Sequence, residues 1–353
     1  MLKTLKIFAL IIILAFIPSI NAATPIKNTQ ELNSTVIKPE RLHPGDTVGL
    51  IAPGFRDADE ILIQYAIERL RALGLKVKVG KAVYKQYGYF AGTDKERAAD
   101  INKMFADPKV KAIIALRGGW GCNRLLSSIN YDIIKKNPKI IMGYSDITSL
   151  LLAINAKTNL VTFHGPVAHE PWPAFTLGYV KDILFEGKSV TFANPIENED
   201  DLIHTKNRPV VIRGGHATGK LIGGSLTLLT SMLGSQYLPD FDKAILFIED
   251  TGEDIYKIDR MLTQLKTAGI LKKISGFVFG KCTNCGCSAG SSTLYGSLTF
   301  NQVLKDHIKP LHIPAWYGAM IGHEDRKLTL PEGIRVTIDA DKGTITMLEP
   351  AVK

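Results

Sequence analysis

The stretch Lys139-Ile140-Ile141-Met142-Gly143-Tyr144-Ser145-Asp146 carries an apolar, strand-like segment into a polar turn, and the apolar run Ile147 to Ile154 follows at once. A strand that is apolar at successive positions is buried on both faces, which is the environment of a parallel sheet. Upstream the same order returns. Val48 to Ala52 reads as a strand, and Asp57 with Glu60 opens a helix in which Leu62, Ala66, Leu70 and Leu73 share one face. Thr93-Asp94-Lys95-Glu96 is a capping box. It starts a second helix with Ile101 and Phe105 turned inward, and a strand from Val110 to Leu116 follows. Alternation at these lengths predicts an α/β fold, a doubly covered parallel sheet whose ligands bind at the C-terminal ends of its strands.

Downstream, residues 191–215 are polar, with Glu197-Asn198-Glu199-Asp200-Asp201 at their centre, and read as a surface linker. This divides the chain into an N-terminal domain over 41–190 and a C-terminal domain over 216–350. The second domain is assembled from a helix around Gly224 to Leu233, a strand Ala244 to Ile248, a helix Ile255 to Thr267 and a strand Gly276 to Phe279. A hairpin closes it: Ile334, Val336 and Ile338 alternate, and Asp341-Lys342-Gly343 makes the turn.

Composition bounds the function. In 353 residues, 45% hydrophobic and 22% charged, there is enough apolar side chain for one large core or two smaller ones. The 31 glycines and 17 prolines are not in low-complexity tracts, which excludes collagen-like, coiled-coil and largely disordered chains. Lys3 and Lys6 precede an apolar run from Ile7 to Ile17, then Pro18 and small residues ending at Ala22 and Ala23, the order of a secretory signal peptide over residues 1–23. That run is too short to span a bilayer, so the expectation is an exported, periplasmic protein without stable membrane insertion once the leader is gone. The net charge of +9 is spread thinly, with no arginine-rich helix or aromatic-interleaved basic run, so nucleic acid is not an expected partner.

Three polar sites fall at the predicted C-terminal strand edges. Ser145 stands where a strand turns into a helix, so unpaired N–H groups and a partial positive charge surround it, suited to an oxyanion. The plainer role for such a serine is an N-cap, and the second glycine of a nucleophile elbow is replaced by Ile147. Arg117-Gly118-Gly119-Trp120-Gly121 follows the strand Val110 to Leu116 on the same edge. Its glycines permit close backbone approach to a ligand, while Arg124 in place of a third glycine excludes a dinucleotide fingerprint. Glu249-Asp250 ends another strand, and His323 follows the apolar stretch Ile313 to Ile321. A nucleophilic serine needs a base, and the base needs a carboxylate to fix its tautomer. Ser145, His323 and Glu249 supply these roles, although sequence spacing does not show that they meet.

Three other patterns are weaker. Gly214-Gly215-His216-Ala217-Thr218-Gly219-Lys220 nearly matches a phosphate loop, but Leu221 replaces the magnesium-binding hydroxyl, and the match is read as chance. His164, His169 and Glu170 lie in a proline-rich loop and read as pocket lining, with no metal expected. Cys282, Cys285 and Cys287 are clustered, with Cys122 distant; a local disulfide is the first reading, since a zinc site lacks an identifiable fourth ligand.

Taken together, Pro44-Gly45-Asp46, Ile51-Ala52-Pro53-Gly54, Arg117-Gly118-Gly119-Trp120-Gly121, Gly143-Tyr144-Ser145-Asp146-Ile147-Thr148, Gly223-Gly224, Glu249-Asp250, Gly322-His323 and Leu328-Thr329-Leu330-Pro331 resemble the serine LD-carboxypeptidases. That family includes muropeptide tetrapeptidases and self-immunity peptidases against microcin C. The resemblance implies an N-terminal flavodoxin-like (amidotransferase-like) domain, a smaller C-terminal α/β domain and an active site between them. It implies Ser145 as nucleophile, His323 as general base and acid, Glu249 as the residue orienting the histidine, and the N–H groups of Asp146 and Gly119 as oxyanion hole. It also implies a homodimer, no cofactor, and removal of a terminal D-alanine from a murein tetrapeptide. Arg117 and Trp120 are the candidates for holding the substrate's free carboxylate. Cleavage of a peptidyl-nucleotide antibiotic is the alternative within the family. A catalytically silent murein-binding protein is the alternative outside it.

Overall fold

The computed structural model describes residues 35–197, 201–286 and 296–353; the leader-like segment, residues 198–200 of the acidic run and Cys287 lie outside them. The first half supplies strands β1 (Thr47–Ile51), β2 (Lys76–Val79), β3 (Val110–Ala115), β4 (Ile140–Gly143) and β5 (Thr162–His164). Helices α1 (Glu60–Ala72), α2 (Asp94–Ala106), α3 (Tyr131–Lys136), α4 (Thr148–Thr158) and α5 (Ala174–Val180) accompany them. In the second half come β6 (Thr191–Phe192), β7 (Val210–Arg213), β8 (His216–Ser225), α6 (Leu226–Ser231), β9 (Ile245–Thr251), α7 (Ile255–Thr267) and β10 (Gly276–Thr283). They continue with α8 (Phe300–Ile308), β11 (Ala315–Ala319), β12 (Leu330–Glu332), β13 (Arg335–Asp339) and β14 (Thr344–Met347).

The first sheet has the order β12-β5-β4-β3-β1-β2. Its five N-terminal strands are parallel, in the order of flavodoxin-like folds, which places a topological switch point between β1 and β3. The second sheet, β6-β14-β13-β8-β9-β10-β11-β7, has a parallel centre from β8 to β11 and antiparallel flanks. The fold is the mixed α/β arrangement expected from the alternation of elements. Residues 191–215, read as a linker, contribute the two edge strands β6 and β7 to the second sheet.

Local chemistry explains the elements and two departures from the sequence reading. Thr93 and Glu96 form the reciprocal capping box at α2, with Ile101 and Phe105 fully buried. At α1 the cap is Asp59, whose carboxylate accepts from Ile61 N at 3.0 Å. The inward residues are Ile63, Ala66, Ile67 and Leu70, so the buried face is rotated and Leu62 and Leu73 lie at its margins. Asp57, expected to open that helix, is buried and faces Arg117 and His169 instead. Gly224, expected within a helix, is near the end of β8 at φ +129, where an added Cβ would come within 2.5 Å of the Thr148 methyl. Ser225 then caps α6, while its N–H donates to Thr148 Oγ1 at 3.0 Å. The near-phosphate-loop segment is strand from His216 onward, with no helix starting at Lys220.

Between β11 and β13 the chain leaves the second sheet, adds β12 antiparallel to β5 in the first, and returns. Residues 320–329 are therefore strung between the two sheets. Residues Thr35–Lys353 form one compact unit.

At the end of that crossing, Glu332 is completely buried, its Oε2 3.5 Å from Thr162 Oγ1 and its Oε1 without a partner among the described residues. Burial holds its pKa well above the ordinary carboxyl value of 4.5. The folded state thus keeps a proton that the unfolded chain loses. Stability contributed by the neutral form is present at low pH and declines as pH rises above 4.5 towards the folded value. Glu332→Gln is expected to abolish that decline, which is at most about 1.4 kcal/mol per pH unit, and to raise stability at neutral pH; urea melts at several pH values would check this.

Candidate active site

Ser145 follows β4 and opens a single 3₁₀ turn leading into α4. Its φ is +61, a left-handed conformation that costs a side-chain-bearing residue about 1–2 kcal/mol and raises the hydroxyl above the strand ends. The missing second glycine has a local substitute. Ile147 folds back over Gly143, where an added Cβ would stand 2.8 Å from Ile147 Cγ1, so the glycine before the serine makes the room.

The loops after β1 and β3 close on this turn at the switch point. An added Cβ at Gly118 would lie 3.0 Å from Ser145 Cβ and 3.4 Å from Asp146 N, so the glycine loop is packed directly on the serine. Gly54 has the same restriction, 2.6 Å from Asp146 Oδ2 and 2.8 Å from Gly118 O. The Asp146 side chain is wholly buried and accepts from Cys122 N at 3.0 Å, which ties the serine turn to the far end of the glycine loop. Burial pushes its carboxyl pKa up, opposed by the hydrogen bonds at Cys122 and Gly121. Gly119, at φ +106, packs against the Phe55 ring.

The second half supplies the partners. Glu249 lies in β9, fully buried, and His323 lies in the crossing segment after β11. His323 Nδ1 is 2.9 Å from Glu249 Oε2, and His323 Nε2 is 3.2 Å from Ser145 Oγ. The three residues singled out from sequence therefore meet, in the order carboxylate, imidazole, hydroxyl. A carboxylate on Nδ1 fixes the proton there and leaves Nε2 to accept from the serine hydroxyl. Burial pulls the His323 pKa down, but the hydrogen bond and charge of Glu249, with Asp250 behind, more than offset it, and the net shift is upward from 6.5. Asp250, buried beside Glu249, is pushed up to about 6 by desolvation and by that neighbour, although it accepts from Thr227 and Thr251.

Of the supporting residues, Gly280 had no sequence signal, and His164, His169 and Glu170 were legible only as pocket lining. Gly322 and Gly280 admit Glu249: a Cβ on Gly322 would stand 2.6 Å from Glu249 Oε2, and one on Gly280 3.0 Å from Glu249 Cβ. Only the glycine directly before the histidine hinted at this. The Tyr144 ring meets the His323 ring with centroids 4.9 Å apart, and its hydroxyl donates to Glu170 at 2.9 Å. His164 is buried with Nε2 2.6 Å from the Ile321 carbonyl oxygen, and burial lowers its pKa. His169 pairs with Asp57 at 3.1 Å, so the two histidines and Glu170 have separate partners. Among the described residues no cluster of histidine, cysteine, aspartate and glutamate is arranged to hold a metal.

Arg117 is half-buried, with Nη1 3.3 Å from Asp57 Oδ1, and Trp120 is 39% exposed beside the glycine loop. Cys282 and Cys285 form a disulfide, and Cys122 is free and buried. A 560 Å³ cavity has Gly280, Lys281, Arg208, Tyr317 and Glu324 in its wall; Gly280 packs on Glu249 and Glu324 follows His323 in the chain, but Ser145, Glu249 and His323 do not line it.

A buried carboxylate, an imidazole and a strained serine in line at the strand ends define a serine hydrolase. Residues 48–165 match the LD-carboxypeptidase N-terminal domain and residues 218–338 the LD-carboxypeptidase C-terminal domain, and the chain belongs to that family. It is 39% identical over 313 residues to a probable murein peptide carboxypeptidase of Bacillus subtilis (strain 168), covering 87% of this chain and 93% of the relative. Among solved structures it is similar to the crystal structure of muramoyltetrapeptide carboxypeptidase from Oxalobacter formigenes, with a TM-score of 0.72, 32% identity and coverage of 86% and 99% of the two chains. It is also similar to the structure of MccF in complex with glutamyl sulfamoyl guanosine, with a TM-score of 0.81, 31% identity and coverage of 90% and 99%.

Gly322→Ala tests how closely the carboxylate must approach. The new methyl displaces Glu249 from His323, and kcat is expected to fall about 10²-fold, as for comparable misplacements. The acid limb of the kcat/KM profile should move to lower pH, because the interaction that raises the His323 pKa is weakened.

Proposed function

We propose that the enzyme hydrolyses the amide between the L-centre of a diamino acid and a terminal D-alanine in murein tetrapeptides. The observation that carries this reading is the line from Glu249 through His323 to Ser145, at 2.9 and 3.2 Å, within the residues that the LD-carboxypeptidase match spans. His323 Nε2 takes the proton as Ser145 Oγ attacks the carbonyl carbon of the L-centre, giving a tetrahedral oxyanion. The N–H groups of Asp146 and Gly119 receive that charge; removing one such donor typically costs about 2.7–4 kcal/mol of transition-state stabilisation. The imidazolium gives its proton to the departing D-alanine nitrogen, and the amine leaves. A water then attacks the acyl-enzyme with His323 again as base, which releases the shortened peptide and restores the serine. Glu249 holds the imidazole in its reactive tautomer throughout.

The cavity lined by Glu324, the residue after His323, is assigned to the diamino acid's side chain, whose far end bears both an ammonium and a carboxylate. Lys281 and Glu324, 3.7 Å apart, offer one charge for each. Arg117 and Trp120 are assigned to the free chain end beside the glycine loop. The same half-exposed Trp120 favours the second reading, cleavage of a peptidyl nucleotide, because an indole face can stack on a base. Export with cleavage near Ala22 or Ala23, action in the periplasm and assembly as a homodimer complete the proposal. Cell fractionation with N-terminal sequencing, and sedimentation of the purified enzyme, test these points.

Release of D-alanine from disaccharide tetrapeptide is expected from wild type, with Ser145→Ala reducing kcat about 10⁴-fold or more. No release by wild type would overturn the murein reading, and a higher kcat/KM on an aminoacyl sulfamoyl nucleoside would favour the second. Because the base must be neutral to act, and its pKa lies above 6.5, kcat/KM should rise with pH through a midpoint above that value.

A further inference from the structure

One ionic cluster next to the site takes no part in the steps above. Lys327, four residues after His323, is only 4% exposed. Its Nζ donates to Glu170 Oε2 at 2.8 Å, lies 3.4 Å from Tyr144 Oη and sits 4.5 Å from the centre of the Tyr144 ring. Glu170 is fully engaged: Oε2 also accepts from Tyr144 Oη, and Oε1 accepts from Val167 N at 3.1 Å. Lys327 N in turn donates to Thr176 Oγ1 at 2.9 Å. The cluster thus joins the end of β4, the loop after β5, α5 and the segment that carries His323.

Burying an ammonium is expensive, and a buried ion pair is often no more stabilising than apolar side chains of similar size. Packing alone would be served by a methionine at 327. What the charges add is control over Tyr144, the residue directly before Ser145, whose ring lies against the imidazole. They also add potential at that imidazole.

We propose that the Lys327–Glu170 pair is a positioning device for His323: it pins the Tyr144 ring against the imidazole, so that the base is held in register with Ser145. The proposal rests on the reading of His323 as the base. The charged and titratable groups acting on His323 are Glu249 and Asp250 from β9, His164 from β5, Tyr144 and Ser145 from the end of β4, and Lys327 from its own segment; Glu170, from the loop after β5, reaches it through Tyr144 and Lys327. Glu249 and Asp250 draw the proton onto the ring, and Lys327 opposes them.

The test uses Lys327→Met, Glu170→Gln and the double variant, each checked for a native thermal melt. Kinetics are followed as kcat/KM against pH on disaccharide tetrapeptide. The His323 ring C–H signals are titrated by NMR in a Ser145→Ala background, assigned with His323→Gln. Lys327→Met should move the His323 midpoint up by about half a pH unit or more, as expected on losing a nearby like charge, and Glu170→Gln, which leaves the Lys327 charge uncompensated, should move it down by a smaller amount. The double variant, with a neutral pair of similar shape, should return to within about 0.3 units of wild type and regain most of the kcat lost in Lys327→Met. Shifts of one sign in both single variants, or none in either while both remain folded, would overturn the proposal. The NMR arm needs no turnover, so a wild-type enzyme inactive on murein peptide would refute the function proposed above without deciding this question.

Discussion

His323 must satisfy two partners that belong to different sheets, and the rest of the molecule is arranged around that demand. Glu249 is fixed in the middle of the second sheet and Ser145 at the edge of the first. A hydrogen bond tolerates only a few tenths of an ångström, so the sheets must be held in one relative position. The crossing segment does this covalently, because the histidine is carried on chain anchored at one end in β11 and at the other in β12. The contact of β8 with the first turn of α4, where Gly224 admits Thr148, provides a second restraint close to the serine.

Glycine has a different use here from the one its abundance suggests. At Gly54, Gly118, Gly143, Gly280 and Gly322 the missing side chain makes room for another residue of the site. The carboxylate, the serine turn and the glycine loop can pack at van der Waals distance only because these positions are bare. Each charged group brought inside has one fixed partner, Asp146 Oδ2 the amide of Cys122, Glu249 Oε2 His323, and Lys327 Glu170, while Asp146 Oδ1 and Glu249 Oε1 are buried without one among the described residues.

The alternation of strands and helices was legible because both periodicities are local, and so were the strand ends at which Ser145, Glu249 and His323 would appear. Their meeting was not, since it depends on pairing between residues far apart in the chain. The same limit explains the details that differed. Asp57 has the look of a helix opener, yet its carboxylate is drawn to Arg117 and His169 from other loops. Gly224 stands in an apolar run of helical appearance, but Thr148 crowds it, as Phe247 crowds Gly223 before it, and neither position leaves space for a side chain. Lys327 resembles an ordinary surface charge in sequence and Glu170 reads only as pocket lining, and the tertiary fold alone makes them a buried pair.

The excursion of β12 into the first sheet also bears on how the gene can be divided. A fragment ending before residue 216 would lack the strand that pairs with β5, leaving the amides and carbonyls of Thr162, Phe163 and His164 on that side unpaired at an open edge. The complementary fragment would carry β12 with no ladder to join. The two halves are interlocked like clasped fingers, and expressing either alone invites self-association through the open edge.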